Sequence, residues 1–199
     1  MSRCIAGTDR KMKSCLIPRL LAVCLLTVAV VGSVEADELS APVSWYDRAV
    51  QRLETTWEEG QPELYLPLYT YHLHFAYSQQ KIDEFDKTPL GLGAGRGSYD
   101  QNGDWNGLYI MGFHDSHFKP EYISGYGHKT FWHISDGLKF GVGYTVFLTT
   151  RSDIGHYTPF PGLLPIVSLE YQRFSLESAY IPGGRDDGNV IFFWGKIHF

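Results

Sequence analysis

Apolar and polar positions alternate with period two along the last ten residues, Val190 to Phe199. Phe199, Ile197, Gly195, Phe193 and Ile191 form an almost wholly apolar set. The other set, His198, Lys196, Trp194, Phe192 and Val190, carries the polar groups. Side chains of a strand alternate faces, so one face suits hydrocarbon and the other tolerates water. This pattern, ending on an aromatic residue, predicts the closing strand of an antiparallel transmembrane β-barrel of the outer-membrane kind. Seven further segments separated by turn residues read the same way, giving strands at roughly 64–78, 89–99, 105–115, 121–132, 137–150, 163–172, 174–182 and 189–199. In the first, Tyr69, Tyr71, Leu73, Phe75 and Tyr77 fall on one face; Leu68, Thr70, His72 and His74 fall on the other. Many strands have about ten residues, the length that crosses a bilayer at a tilt. With eight strands and a periplasmic C-terminus, loops 79–88, 116–120, 151–162 and 183–188 face outward. Turns at 100–104, 133–136 and near 173 face the periplasm, and the outward set is longer on the whole, as such barrels prefer. Before the strands, Trp45, Ala49, Leu53 and Trp57 recur at i+4. They predict an amphipathic helix over about 44–58, suited either to a membrane interface or to packing on the body of the protein.

The first 36 residues have a different character. Arg3, Arg10, Lys11, Lys13 and Arg19 precede a short apolar run, Leu20 to Val31, and Val34-Glu35-Ala36 is a small-residue cleavage signature. The segment reads as a secretory signal peptide (residues 1–36), leaving one domain over 37–199. All three cysteines, Cys4, Cys15 and Cys24, fall in that leader, so a processed chain has neither disulfides nor a thiolate nucleophile. The apolar run continues past Cys24, and bulky Val23 precedes it, which argues against lipid attachment there. The leader holds five of the 17 Lys and Arg and two of the 22 Asp and Glu. The remainder carries a net charge of about −8, which argues against a nucleic-acid partner, since phosphates demand a basic footprint.

Prolines interrupt several strands, although proline cannot donate to a ladder. Pro67 and Pro89 lie near adjacent strands 1 and 2; Pro165 lies on strand 6 and Pro182 ends strand 7. Each pair either weakens lateral hydrogen bonding enough to open the wall or simply marks strand ends, the plainer reading for Pro89 and Pro182. The threading also brings His72 to the outward half of strand 1 and Asp115-Ser116 to the end of strand 3, about 10 Å apart by interstrand spacing. Histidine, carboxylate and hydroxyl together suit acyl transfer. The imidazole takes a proton near neutral pH, the carboxylate orients it, and the serine either attacks an ester or donates to a developing oxyanion. Other candidates are weaker. His114, His117, His128, His133 and His156 match no ligand spacing, and no metal or other cofactor is expected. Asp100 to Asp104 resembles the start of a calcium loop but lacks its closing Glu and reads as a hairpin turn. The glycines at 91, 93, 95 and 97 leave room inside a narrow barrel or for an acyl chain.

Several runs then carry a resemblance across nearly all of the chain, from Trp57 to Phe199. They are His72-Leu-His-Phe-Ala-Tyr77, Gly103-Asp-Trp-Asn-Gly-Leu-Tyr109, Phe113-His-Asp-Ser116, Gly125-Tyr-Gly127, Leu163-Leu-Pro165, Tyr180-Ile-Pro-Gly183 and Gly188-Asn-Val190. In order and spacing they resemble the lipid A palmitoyltransferase (PagP) family. The resemblance implies an eight-stranded outer-membrane barrel that moves a palmitoyl chain from the sn-1 position of a phospholipid to a hydroxyacyl chain of lipid A. It implies His72, Asp115 and Ser116 as catalytic residues and Gly127 as the floor of an acyl-measuring pocket. Pro67 with Pro89, and Pro165 with Pro182, correspond to the prolines beside two lateral openings. Asp100 and Arg151 correspond to a paired acid and base, and Trp57 to a clamp between helix and barrel. Ser98 stands where the family's basic clamp residue is expected, with Arg96 two residues away. Phospholipid donor, lipid A acceptor and outer membrane are the implied partners, and a barrel this small is expected to be a monomer. A deep pocket above Gly127 predicts preference for a C16 chain, shortened by Gly127→Met. The residues alone leave two rivals: a barrel without enzymatic activity serving as anchor or adhesin, and a barrel hydrolase that removes acyl chains.

Overall fold

The computed structural model describes residues 44–184 and 188–199; the expected leader, with its cysteines, lies outside them. Helix α1 spans Trp45–Glu59. Its first turn is capped by Ser44, whose hydroxyl accepts from the Tyr46 N–H at 3.3 Å, satisfying one of the donors a helix start leaves open. The strands are β1 (Gln61–His72), β2 (Gly91–Tyr99), β3 (Trp105–His114), β4 (Pro120–Ser135), β5 (Leu138–Thr150), β6 (Phe160–Tyr171), β7 (Phe174–Ile181) and β8 (Val190–His198). A short helix α2, Gln79–Glu84, sits in the loop between β1 and β2. Each strand pairs antiparallel with the next, and β8 closes on β1. The expected eight-stranded barrel is therefore present, with its order intact. The end of the barrel that carries His72 is called the upper end below.

The first strand departs from its expected bounds. It starts at Gln61 and ends at His72, not at 78. Beyond His72 the chain turns: the Leu73 N–H donates to the Asn189 carbonyl, and the Ala76 N–H donates back to the Leu73 carbonyl. Alternation alone carried the strand too far, because Tyr77 is buried by packing with Ala76, Ile82 and Val190 rather than by a place in the sheet.

A register shift between Pro67 and Tyr69 against β8 also breaks the alternation. Below it Glu63, Tyr65 and Pro67 are buried; above it Thr70 and His72 are, while Leu68 and Tyr69 are both exposed. Leu68 is the extra residue of a bulge. It switches inward parity from odd to even positions and so turns His72 into the lumen. Pro67 suits that place because it has no N–H to lose from the ladder.

The interior has two storeys. The upper holds an apolar cluster of Tyr65, Met111, Phe113, Ile166, Phe192 and Trp194. The lower is filled by buried charges in opposite pairs. Lys196 donates to Glu63 at 2.8 Å and lies 3.5 Å from Glu177, which also pairs with Lys129. Glu170 receives Lys139 at 2.8 Å, Tyr99 at 2.6 Å and Ser175 at 3.2 Å. The Trp105 indole donates to Glu63 at 2.9 Å, with the Lys129 and Lys196 ammonium groups over its ring. Buried charges persist only when paired and hydrogen-bonded, and here both conditions hold. Outside, Leu92, Ile110, Leu163 and Leu176 are exposed, with Tyr122 near one rim and Trp132, Tyr171 and Phe174 near the other. An apolar belt between aromatic girdles is the surface a membrane barrel presents to lipid.

Two seams in the wall are incomplete. β1 pairs with β2 only from Gln61↔Gly97 to Tyr65↔Gly93, and the rest of β1 up to His72 is outside that register. β6 pairs with β7 only between Ile166↔Ala179 and Tyr171↔Phe174. Both gaps open toward the upper end. Pro67 and Pro89 flank the first; Pro165 and Pro182 flank the second. Pro67 and Pro165 lie inside β1 and β6, whereas Pro89 precedes β2 and Pro182 follows β7, at strand ends.

Helix α1 lies outside the lower barrel. Leu53, Val50 and Trp57 pack on Leu108 and Tyr126 of β3 and β4, while Trp45 and Tyr46 are exposed. The Arg96 guanidinium of β2 donates to the Gly60 carbonyl at 2.9 Å and reaches the Glu58 carbonyl at 3.5 Å. These are carbonyls at the helix end that lack partners within the helix. Arg96 thus ties helix to barrel, through backbone rather than through the Trp57 ring.

Candidate active site

His72 ends β1 and Ser116 follows β3, so two strand ends one strand apart deliver them to the same lip. The Ser116 Oγ lies 3.3 Å from the His72 Nε2. His72 is only 5% exposed. Its other ring nitrogen, Nδ1, is buried with no hydrogen-bond partner among the described residues. Packing fixes the ring instead. Phe85 stacks on it at 4.5 Å between centroids with a 20° interplanar angle, and Tyr77 meets it edge-on at 5.3 Å. Tyr77 is anchored by donating to the Gly188 carbonyl. The Asp86 N–H donates to the Ser116 carbonyl at 3.1 Å, which pins the loop bearing Phe85 to the loop bearing the serine.

Asp115 stands beside Ser116 in sequence but does not orient the imidazole. Its Oδ1 accepts from the backbone N–H groups of His117 and Lys119, each at 2.8 Å, and its Oδ2 lies 4.0 Å from the His117 Nδ1. Asx geometry of this kind is the usual use of aspartate in a turn. The carboxylate shapes the turn that presents Ser116.

Beneath the pair opens a mostly apolar cavity of about 140 Å³, bounded by Met111, Phe113, Ile123, Phe147, Leu164 and Phe192, with Pro89 at one side. Deeper in, the Tyr109 hydroxyl and Thr145 Oγ1 share a hydrogen bond of 2.6 Å. Gly127 is not on the cavity wall. It pairs with Thr145, which is, and abuts the Trp105 indole: a Cβ there would come within 2.9 Å of Cζ3. Asp100 and Arg151 are not brought together. Asp100 lies in the lower turn after β2, accepting from the Asn102 and Asp104 N–H groups at 2.9 and 3.0 Å. Arg151 follows β5 at the upper lip and forms a bidentate pair with Asp153 at 3.0 and 2.8 Å. That hydrogen bonding holds the Asp153 carboxyl below its ordinary range. Among the described residues, no group of three His, Cys, Asp or Glu side chains is arranged to hold a metal ion.

In the sequence Phe85 and Tyr77 have no assigned role in the site, and Arg96 appears only as the basic residue two positions from the expected clamp partner. Phe85 and Tyr77 act from an irregular loop, where periodicity gives no facing, and only the aromatic content of the loop hints at them.

Residues 52–196 match the family model described as antimicrobial peptide resistance and lipid A acylation protein PagP. The chain is similar to proteins named lipid A acyltransferase PagP. The one from Methylobacillus flagellatus is 47% identical over 156 residues, 78% of this chain and 85% of the relative. That from Laribacter hongkongensis is 47% identical over 150 residues, 75% of this chain and 72% of the relative. That from Bordetella pertussis is 47% identical over 156 residues, 78% of this chain and 86% of the relative. Among solved structures, the Yersinia pestis outer membrane protein Ail in a phospholipid bilayer nanodisc matches with a TM-score of 0.40 and 11% identity, over 70% of this chain and 99% of that one. That likeness is too slight to add to the architecture above. A match from the last turns of α1 to β8, with relatives at near half identity, settles the grouping: the chain belongs to the PagP family.

Proposed function

We propose that this protein is an outer-membrane acyltransferase that moves a palmitoyl chain from the sn-1 position of a phospholipid to a hydroxyacyl chain of lipid A. The observation that carries the reading is the Ser116–His72 pair at 3.3 Å above an apolar cavity beside two incomplete seams. An acyl tail entering such a cavity gains about 0.8 kcal/mol per buried methylene, and the cavity mouth then holds the ester carbonyl at the reactive pair. In the net reaction the sn-1 ester C–O bond breaks and a new ester C–O bond forms to the acceptor hydroxyl. The proton of that hydroxyl passes through the His72 Nε2 to the departing lysophospholipid oxygen. The Ser116 hydroxyl lies within reach of the same carbonyl. The seams give lipids a way in from the membrane without crossing water. The leader is removed after Ala36, and the barrel works as a monomer in the outer membrane.

Lipid mass spectrometry on cells expressing the chain tests this directly. Lipid A gaining a palmitoyl mass, and not doing so with the Ser116→Ala or His72→Ala variants, is the expected result. Loss of an acyl mass would make the protein a hydrolase, and unchanged lipids would make it a non-enzymatic barrel.

A further inference from the structure

The rung Tyr109–Gly125–Phe147–Gly162, which crosses β3 to β6 in register, alternates a ring with a glycine. The Tyr109 hydroxyl lies 2.8 Å from where a Gly125 Cβ would be. The Phe147 ring lies over Gly162: a Cβ there would fall 2.3 Å from Cζ, 2.7 Å from Cε2 and 2.9 Å from Cε1. No real side chain tolerates that approach, so the glycine is a recess in which the ring lies flat against the wall. Phe147 is 8% exposed, and with Leu164 it bounds the apolar cavity. Gly162 also lies on the stretch of β6 outside the β7 register, so the ring sits just inside that seam. In a cavity of about 140 Å³, the position of one phenyl ring governs a large part of the free space.

We propose that Phe147 seated on Gly162 sets the bore of the acyl cavity and thereby the length of chain the enzyme accepts. The inference rests on the acyl-transfer reading above and assigns the measuring element to the cavity wall itself, which Gly127 does not line. A methyl group at 162 lifts the ring from its recess into the lumen; removal of the ring widens the lumen. Close-packed apolar walls resist such overfilling, so a longer chain is rejected before a shorter one.

The test is a competition. Wild type, Phe147→Ala, Gly162→Ala and the double variant are placed in vesicles holding lipid A and equal amounts of phospholipids with C12, C14, C16 or C18 at sn-1. The chain transferred is read by mass spectrometry. Because the readout is a ratio of products within one sample, it does not depend on how much of a variant folds; Phe147→Leu serves as a milder change. Phe147→Ala is expected to raise the yield of chains longer than the wild-type preference by about tenfold relative to that preference, the low end of what one methylene is worth in such a pocket. Gly162→Ala is expected to shift the yield toward shorter chains, and the double variant to move back toward longer ones. Identical profiles in all four proteins, or Gly162→Ala moving in the same direction as Phe147→Ala, would overturn the inference alone. A wild type that transfers no chain overturns the acyl-transfer reading and this inference with it.

Discussion

At the scale of single residues, the turn and the ring stack make separable claims. Asp115 Oδ1 accepts two backbone N–H groups, and an asparagine carbonyl does the same. Asp115→Asn is therefore expected to keep most of the transfer rate, whereas Asp115→Ala frees the turn and loses about tenfold, the equivalent of roughly 1.4 kcal/mol in the barrier. Initial rates of the two variants decide the matter; equal losses would restore a charge role for the carboxylate. Phe85 holds the imidazole by stacking, an interaction worth about 0.5–1.5 kcal/mol. Phe85→Leu is expected to lower kcat by up to about tenfold with KM little changed, and Phe85→Tyr to recover most of it. His72 and Ser116 were legible in the sequence because strand counting alone brings both to one lip. The role of Asp115 was not, because an Asp-Ser pair opening a turn and an Asp-Ser pair in a catalytic relay look identical until the oxygen atoms have partners. Phe85 was illegible for a different reason: its partner is 13 positions away across a loop with no period.

At the scale of elements, β1 repays attention. Eight strands, their order and their turns follow from period-two alternation with glycine and aspartate punctuation. The bulge at Leu68 does not, since alternation reads equally well on either side of it. Only Pro67, a residue that cannot donate to the ladder, marks the place. The bulge makes a sharp prediction. Glu63 and His72 stand nine positions apart, so both face the lumen only because Leu68 is left out of the pairing with β8. Without Leu68 they stand eight apart, on one face of an unbulged strand, and Tyr69 to His72 keep their partners in β8. The deletion is thus expected to assemble as a barrel, judged by its circular dichroism, with His72 still facing the lumen and transfer retained. An assembled barrel without transfer would mean that Leu68 is not simply the extra residue of the bulge.

At the scale of the whole molecule, the two storeys divide the labour. The upper storey is open, apolar and bounded by gaps; the lower is closed by Glu63, Lys196, Glu177, Lys129, Glu170 and Lys139. Removing Glu177 leaves the Lys129 ammonium buried without its carboxylate, while Lys196 keeps Glu63. Glu177→Ala is expected to lower unfolding stability by about 3–5 kcal/mol, read as an earlier midpoint in denaturant titration of the vesicle-bound protein. A Glu177→Ala barrel as stable as wild type would show that these charges are solvated.

The two seams have a mechanical consequence. Cut at β1–β2 and β6–β7, the sheet becomes a three-stave panel, β7–β8–β1, facing a five-stave panel, β2–β6. Toward the His72 end nothing in the strand ladder joins them; at the other end, Lys129 to Glu177, Ser175 to Glu170 and Trp105 to Glu63 rivet one panel to the other. Such a body is a clothes-peg, sprung at its foot and closed at its jaws only by contacts outside the ladder, such as His72 to Ser116 and the Thr70 N–H to the Lys87 carbonyl. Its stiffness therefore rises from jaw to foot, and side pressure from the surrounding membrane flexes only the end where lipid is handled.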